Sequence, residues 1–123
     1  MLKLMIVDDS NIIRNKINRS LDSSKFDLVA VASNGIEALA SCRSLMPDVV
    51  TMDLTMPQMD GIQCIEKLMK IKPDILILVV SALSDKATGI EALHKGASGF
   101  LLKPFSEIEL SNALIELVAH KYD

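Results

Sequence analysis

The chain has no tryptophan, one tyrosine and three phenylalanines, so it lacks an aromatic platform on which nucleic-acid bases could stack. Lysine and arginine number 13 against 16 acidic residues, for a net charge of -3. With the charges spread along the chain there is no basic stripe to bind DNA and no acidic tail to stay disordered. No apolar stretch approaches the roughly 20 residues of a membrane span. The N-terminus, MLKLMIVDD, lacks the charged region, long apolar region and cleavage site of a signal peptide. A soluble, cytoplasmic protein with no direct nucleic-acid contact and no membrane insertion is therefore expected. Only two cysteines are present, Cys42 and Cys64. They lack metal-site spacing and read as reduced packing residues on predicted helices. His94 and His120 have no ligand partner at suitable spacing and read as solvated, and the scattered methionines read as packing.

What is present suits one domain. The 123 residues, 50% of them hydrophobic, suffice for one substantial core, and residues 1–123 are read as a single unit. Short apolar runs bounded by turn signals predict strands near Leu2 to Asp8, Asp27 to Ala32, Asp48 to Met52, Ile75 to Val80 and Gly99 to Leu102. The most apolar, Ile75 to Val80, should be central. Between them lie segments of helical periodicity. The first, Ser10 to Leu21, repeats Ile13, Ile17 and Leu21 on one face. The second is capped by Asn34, with Glu37 three residues on, and stops before Pro47. The third is capped by Asp60 and ends near Lys72-Pro73. The fourth, Asp85 to Lys95, is terminated by Gly96. The last opens on a Ser106/Glu109 capping box and carries Leu110, Ala113, Leu114, Leu117 and Val118 on one stripe.

Strands alternating with helices through short loops require parallel crossover units with helices on both faces of the sheet. The expectation is a doubly wound α/β domain with a five-stranded parallel sheet and five helices. Its order, 2-1-3-4-5, is adopted from the flavodoxin-like class rather than derived from the residues. In that order strands one and three are neighbours, about 4.8 Å apart, and the ligand site lies at the carboxyl ends of the strands.

Those ends carry the chemistry. Asp8 and Asp9 follow LKLMIV, Asp53 follows DVVTM, Ser81 follows ILILVV, and Lys103-Pro104 follows GFLL. Taken singly, each has an ordinary alternative: Asp8 and Asp9 as a helix cap with a spare acid, Asp53 as turn chemistry, Ser81 as a helix-approach hydroxyl. Their coincidence at four strand ends favours a site. Three carboxylates about 5 Å apart repel by roughly 3 kcal/mol per ionised pair at an effective dielectric near 20. A hard divalent cation relieves this, and Mg²⁺ bound by one or two carboxylates is usual where phosphate is handled. Asp9 and Asp53 are the expected direct ligands, with the backbone carbonyl of Thr55 and with Asp8 acting through water. Mn²⁺ would suit the same set. Lys103 then offers a compact cation to a phosphoryl oxygen and Ser81 a hydrogen bond, the parts that in-line phosphoryl transfer needs.

IVDDS, MDLTMPQMDG, VVSA and FLLKPF together resemble the receiver domain of two-component response regulators, closest to the single-domain chemotaxis type, from Leu2 to about Val118. The resemblance implies that Asp53 is the phosphoacceptor, served by a kinase phosphohistidine, with Asp8 and Asp9 holding Mg²⁺. It implies that Ser81 and Phe100 are the switch hydroxyl and switch aromatic, that Lys103-Pro104 is a cis peptide, and that Met56-Pro57 and Gly61 belong to the loop after the acceptor. Thr55 and Leu83 occupy the positions that tune phosphoryl lifetime. Since Leu83 cannot align a water, slow self-dephosphorylation is expected, and Leu83→Glu should shorten the lifetime.

Implied partners are a histidine kinase or histidine phosphotransfer domain, met by the first-helix face with Asn11, Ile12 and Asn15. A downstream target or a second copy would use the face of the fourth helix, fifth strand and fifth helix, which carries Lys86, Ile90, His94 and Lys95. Chemotaxis or motility is the process favoured. Catalysis beyond self-phosphorylation and slow self-erasure is not expected: DLTMP lacks the second acid of the aspartate-nucleophile phosphatases. Two alternatives stand beside this reading, a phosphorylation-independent adaptor on the same fold and a receiver excised from a larger DNA-binding or enzymatic regulator.

Overall fold

The computed structural model describes residues 1–54, 56, 59–82 and 86–122, with residues 86 and 120–122 described by their backbone alone. Its elements run β1 Leu2–Val7, α1 Asn11–Ser20, β2 Phe26–Ala32, α2 Gly35–Leu45, β3 Val49–Asp53, α3 Gly61–Ile71, β4 Leu76–Ala82, α4 Lys86–His94, β5 Gly99–Lys103 and α5 Glu107–Tyr122. All four strand pairings are parallel, in the order β2-β1-β3-β4-β5. The expected fold is therefore the one observed. The most apolar strand, β4, is flanked on both sides, but β3 holds the middle of the sheet and is buried throughout.

Strand alternation sorts the core into two layers. Met5, Val7, Val50, Met52, Ile77 and Val79 face α2, α3 and α4, in a cluster with Leu39, Cys42, Cys64, Ile65, Leu68 and Ala92. Leu4, Ile6, Val49, Leu78 and Val80 face α1 and α5, against Ile17, Phe105, Leu110, Leu114 and Leu117. Both cysteines are reduced and buried, as expected. Burial pushes their thiols up, that of Cys64 to about 12, which keeps them protonated and inert.

The helix ends explain why each helix starts where the site needs it. Ser10, Asn34 and Asp60 each accept a backbone N–H from three residues on. The Ser106/Glu109 box is reciprocal: the Glu109 amide donates to Ser106 Oγ and the Ser106 amide to Glu109 Oε1, each at 3.0 Å. Glu37 differs from expectation, because it accepts from the amide and hydroxyl of Ser33 rather than closing on Asn34. Gly96 has a positive φ of 125°, and Met46, which no turn residue signals, ends α2 in the left-handed region at φ 48°.

Candidate functional site

The parallel strands bring their polar ends to one edge. Carboxylate oxygens of Asp8, Asp9 and Asp53 lie within 4.8 Å of one another. Asp8 and Asp53 are buried, whereas Asp9 is exposed at the rim. Lys103, the last residue of β5, spans the sheet end with Nζ 3.3 Å from Asp8 Oδ2 and 3.4 Å from Asp53 Oδ1. The strands run slightly further than their apolar runs suggest, so Asp53 and Lys103 are the last residues of β3 and β5 and Ser81 the last but one of β4, rather than the first loop residues. That extension fixes their backbones in the ladder, with Asp53 opposite Val80, Ser81 opposite Leu102 and Lys103 opposite Ala82. Ser81 is 1% exposed, which places its hydroxyl inside the sheet end.

Asp8 is held from several directions. Its Oδ1 accepts the Ser10 amide at 2.9 Å and its Oδ2 faces the Lys103 ammonium. Its carbonyl accepts from Arg14 Nη1 at 2.6 Å, and Arg14 is held in turn by Asn11. Both carboxylate oxygens of Asp8 are thus engaged within the protein, while Asp9 stands exposed at the rim and Asp53 is buried beside Lys103. The donor set is all hard oxygen, which fits Mg²⁺ or Mn²⁺ and not a soft metal.

Gly61 closes the loop after Asp53. Its amide donates to the Leu54 carbonyl at 3.1 Å, and a Cβ there would lie 2.6 Å from Leu54 Cα and 2.9 Å from the Asp53 carbonyl oxygen. Thr55 and Leu83, the expected tuning positions, and Pro57 lie outside the described residues. Lys103-Pro104 is cis, as the resemblance implies. Phe100 is partly buried and packs on the α4 side of the sheet. Asn11, Ile12 and Asn15 are exposed on α1, as are Ile90, His94 and Lys95 on or just after α4.

Two contacts escape sequence reasoning. Arg14 is a basic residue near a helix start, where an acid would be favoured, and that inversion was the available signal. Lys16 donates to the Phe105 carbonyl and lies 4.7 Å over its ring, tethering α1 to the turn that follows Lys103.

An acid cluster with a lysine across it thus stands at the carboxyl edge of a doubly wound 2-1-3-4-5 sheet, the edge at which such folds hold their ligands. Comparison with known proteins narrows this to one family. Residues 4–115 match the response regulator receiver domain, and the chain belongs to that family. It is 39% identical over 114 residues to the chemotaxis protein CheY of Listeria monocytogenes, covering 93% of this chain and 96% of that one. It is also 42% identical over 117 residues to a protein-glutamate methylesterase/protein-glutamine glutaminase of Rhodospirillum rubrum, covering 94% of this chain but 32% of that one. Among solved structures, CheY in the CheX-CheY-BeF3-Mg complex of Borrelia burgdorferi superposes with a TM-score of 0.87 at 29% identity, covering 94% of this chain and 87% of that one. Among the described residues, no helix is long and apolar enough to cross a membrane.

Proposed function

We propose that this receiver accepts a phosphoryl group on Asp53 from a kinase phosphohistidine, in a Mg²⁺-dependent reaction, and passes the change to a partner protein. The observation that carries this reading is the three-carboxylate cluster within 4.8 Å, with one ammonium in reach of both buried acids. Asp9 and Asp53, with the Thr55 carbonyl by its position in the motif, would hold the cation directly and Asp8 through water. The cation supplies charge neutralisation where the oxygens of donor and acceptor crowd together. Asp53 presents the attacking carboxylate oxygen from a rigid strand end. Lys103 is positioned to turn from Asp53 towards a phosphoryl oxygen as negative charge arrives. Ser81 offers a hydroxyl to another, and Phe100 follows it as the switch aromatic. Thr55 and Leu83, by sequence position, set how long the product survives.

The partners fit the same reading: a histidine kinase or phosphotransfer domain against the α1 surface, and an output protein or second copy on the α4-β5-α5 face. The similarity to CheY over nearly its full length supports a role in chemotaxis. The methylesterase relatives, of which the chain covers about a third, support the alternative of a receiver within a larger regulator. Catalysis by this chain is limited to its own phosphorylation and slow dephosphorylation.

Intact mass after incubation with Mg²⁺ and acetyl phosphate tests the proposal. A gain of one phosphoryl group is expected, lost in Asp53→Ala and in chelator. No gain under conditions that preserve acyl phosphates would leave a phosphorylation-independent adaptor as the better reading.

A further inference from the structure

Every polar atom of Asp8 is engaged. Its amide donates to the Ala32 carbonyl at 3.0 Å, Oδ1 accepts the Ser10 amide, Oδ2 faces Lys103, and its carbonyl accepts from Arg14 Nη1 at 2.6 Å. Asp9 beside it is the opposite case. Among the described residues no hydrogen bond or ion pair holds its carboxylate, yet an oxygen of that carboxylate lies within 4.8 Å of oxygens of Asp8 and Asp53. Its side chain is therefore placed by its backbone. The peptide plane that enters Asp9 carries the carbonyl oxygen of Asp8, and that oxygen is the atom Arg14 holds. Because the peptide is planar, fixing the oxygen fixes the position of the Asp9 Cα and the direction in which the carboxylate leaves the sheet end.

Two observations say that geometry rather than charge is what Arg14 supplies there. Arginine at the end of the first turn of α1 opposes the helix dipole, and no acid in that turn relieves it. Its charge is also shared with Glu37 at the start of α2. That carboxyl lies below its usual pKa, because of the Ser33 amide and hydroxyl first, with the Arg14 charge the smallest of the causes. What the guanidinium uses is its fork. Nη1 donates to the Asp8 carbonyl while Nη2 donates to Asn11 Oδ1, one turn back on the same helix. A rigid plane of donors serves two acceptors at once, whereas a lysine ammonium on a flexible stem has no such fixed pair of directions. The Arg14 amide is itself tied to the Ser10 carbonyl at 3.0 Å, so the clamp spans a single turn from the cap of α1 to the acid pair.

We propose that Arg14 is the positioning residue of Asp9: its fork fixes the Asp8–Asp9 peptide plane and so holds the Asp9 carboxylate where a divalent cation needs it. This role rests on the reading of Asp9 as a direct cation ligand beside the phosphoacceptor Asp53. A replacement that conserves the charge should then harm cation binding as much as one that removes it, the reverse of what an electrostatic role would give.

The test is a Mg²⁺ titration of the whole chain, followed by the amide NMR signals of Asp9 and Ser10, in the wild type, Arg14→Lys, Arg14→Met and Asn11→Ala. Both Arg14 variants should bind Mg²⁺ about tenfold more weakly or more. Asn11→Ala, at an exposed position, frees one arm of the fork and should weaken binding in the same direction by a smaller factor. If Arg14 acts by charge, Arg14→Lys will bind as the wild type does and Arg14→Met more tightly, and that pattern would overturn the proposal. In acetyl phosphate labelling, the Mg²⁺ concentration for half-maximal rate should rise about tenfold in Arg14→Lys, with the rate at saturating Mg²⁺ little changed. A lower urea midpoint with unaltered Mg²⁺ affinity would reduce Arg14 to a structural residue and overturn the proposal as well. If the wild type binds Mg²⁺ and the variants weaken it, but no phosphoryl group is taken, the clamp stands and the Asp53 reading fails.

Discussion

Replacing Lys103 by methionine removes one charge and keeps most of the aliphatic stem, which makes it a clean probe of the acid cluster. The ammonium lies 3.3 and 3.4 Å from oxygens of Asp8 and Asp53, so at an effective dielectric near 20 each contact is a gross attraction of about 5 kcal/mol. Two acids at the 4.8 Å limit of the cluster repel by about 3.5 kcal/mol on the same scale. Asp9 is exposed and the rim is open to solvent, so the net effect is far smaller, on the order of 1–3 kcal/mol. Without divalent cation, Lys103→Met should therefore unfold at lower urea, because two buried carboxylates lose their counter-charge. With Mg²⁺ the order changes. A site poorer by one positive charge should bind the cation about tenfold more tightly, and Mg²⁺ should raise stability more in the variant than in the wild type. Urea unfolding followed by far-UV circular dichroism over a Mg²⁺ series measures both quantities. Acetyl phosphate labelling should slow by about tenfold or more, since the phosphoryl oxygens lose their cation. Weaker Mg²⁺ binding in the variant, or unaltered stability without metal, would refute the assignment of Lys103 as the counter-charge.

Thr51, two residues below Asp53, is 1% exposed and its hydroxyl has no hydrogen-bond partner among the described residues. Thr51→Val should stabilise the fold by about 1 kcal/mol, raising the melting temperature by roughly 4 °C. A loss of stability of that size would show that the hydroxyl is bonded. Gly61→Ala sets a methyl group against the backbone of Leu54 and Asp53. It should cost about 2 kcal/mol or more on denaturation and slow labelling of Asp53, and unaltered values of both would contradict the close approach. At the opposite sheet end, Lys72 Nζ donates to the carbonyls of Met46 and Pro47 and to Asp48 Oδ1, at 3.3, 3.1 and 3.0 Å. Burial raises the Asp48 pKa, but the Lys3 amide, the Lys72 hydrogen bond and the charges of both lysines outweigh it and hold the carboxyl below its usual value. A depressed carboxylate contributes stability above its unfolded pKa near 3.9 and loses it as pH falls through the folded value. Lys72→Met should accordingly cost about 2–3 kcal/mol at pH 7 and progressively less in acid, and a cost independent of pH would show that Asp48 is not involved.

The fold was legible because its signals agree across levels. Apolar runs, caps and loop lengths each demand alternating strands and helices, and Ser10, Asn34, Asp60 and Ser106 cap where their side-chain chemistry says they should. The site was legible because its members sit at strand ends, where topology brings together residues as distant as Asp8 and Lys103. Hidden instead were contacts made by long or absent side chains. Arg14 and Lys16 reach a carbonyl of Asp8 and of Phe105 across an element boundary, which no periodicity records. Met46 takes a left-handed cap that ordinarily selects glycine or asparagine; Pro47 marks where the helix must stop but does not call for a left-handed residue before it. Gly89 reads in sequence as a weak point of α4 until the Phe100 ring that fills its place is seen.

Strand alternation divides the site members between the two faces of the sheet. Asp8 continues the parity of Leu4 and Ile6, Asp53 that of Val49, and Lys103 that of Leu101, all on the α1/α5 side. Ser81 continues the parity of Ile77 and Val79, on the α4 side with Phe100. A phosphoryl group on Asp53 would be met by Lys103 from one side and Ser81 from the other, so acceptance and transmission depend on different residues. Ser81→Ala should therefore slow Mg²⁺-dependent labelling of Asp53 by about tenfold without abolishing it, since a hydrogen bond to a charged acceptor contributes about 1.5 kcal/mol or somewhat more. It should, however, abolish the shift of Phe100 ring resonances that phosphorylation produces in the wild type. Labelling by intact mass and ring spectra on the same sample separate the two effects. If Ser81→Ala blocks labelling as completely as Asp53→Ala, the hydroxyl acts in acceptance itself. If labelled Ser81→Ala still moves the Phe100 ring, the signal crosses the sheet by another route.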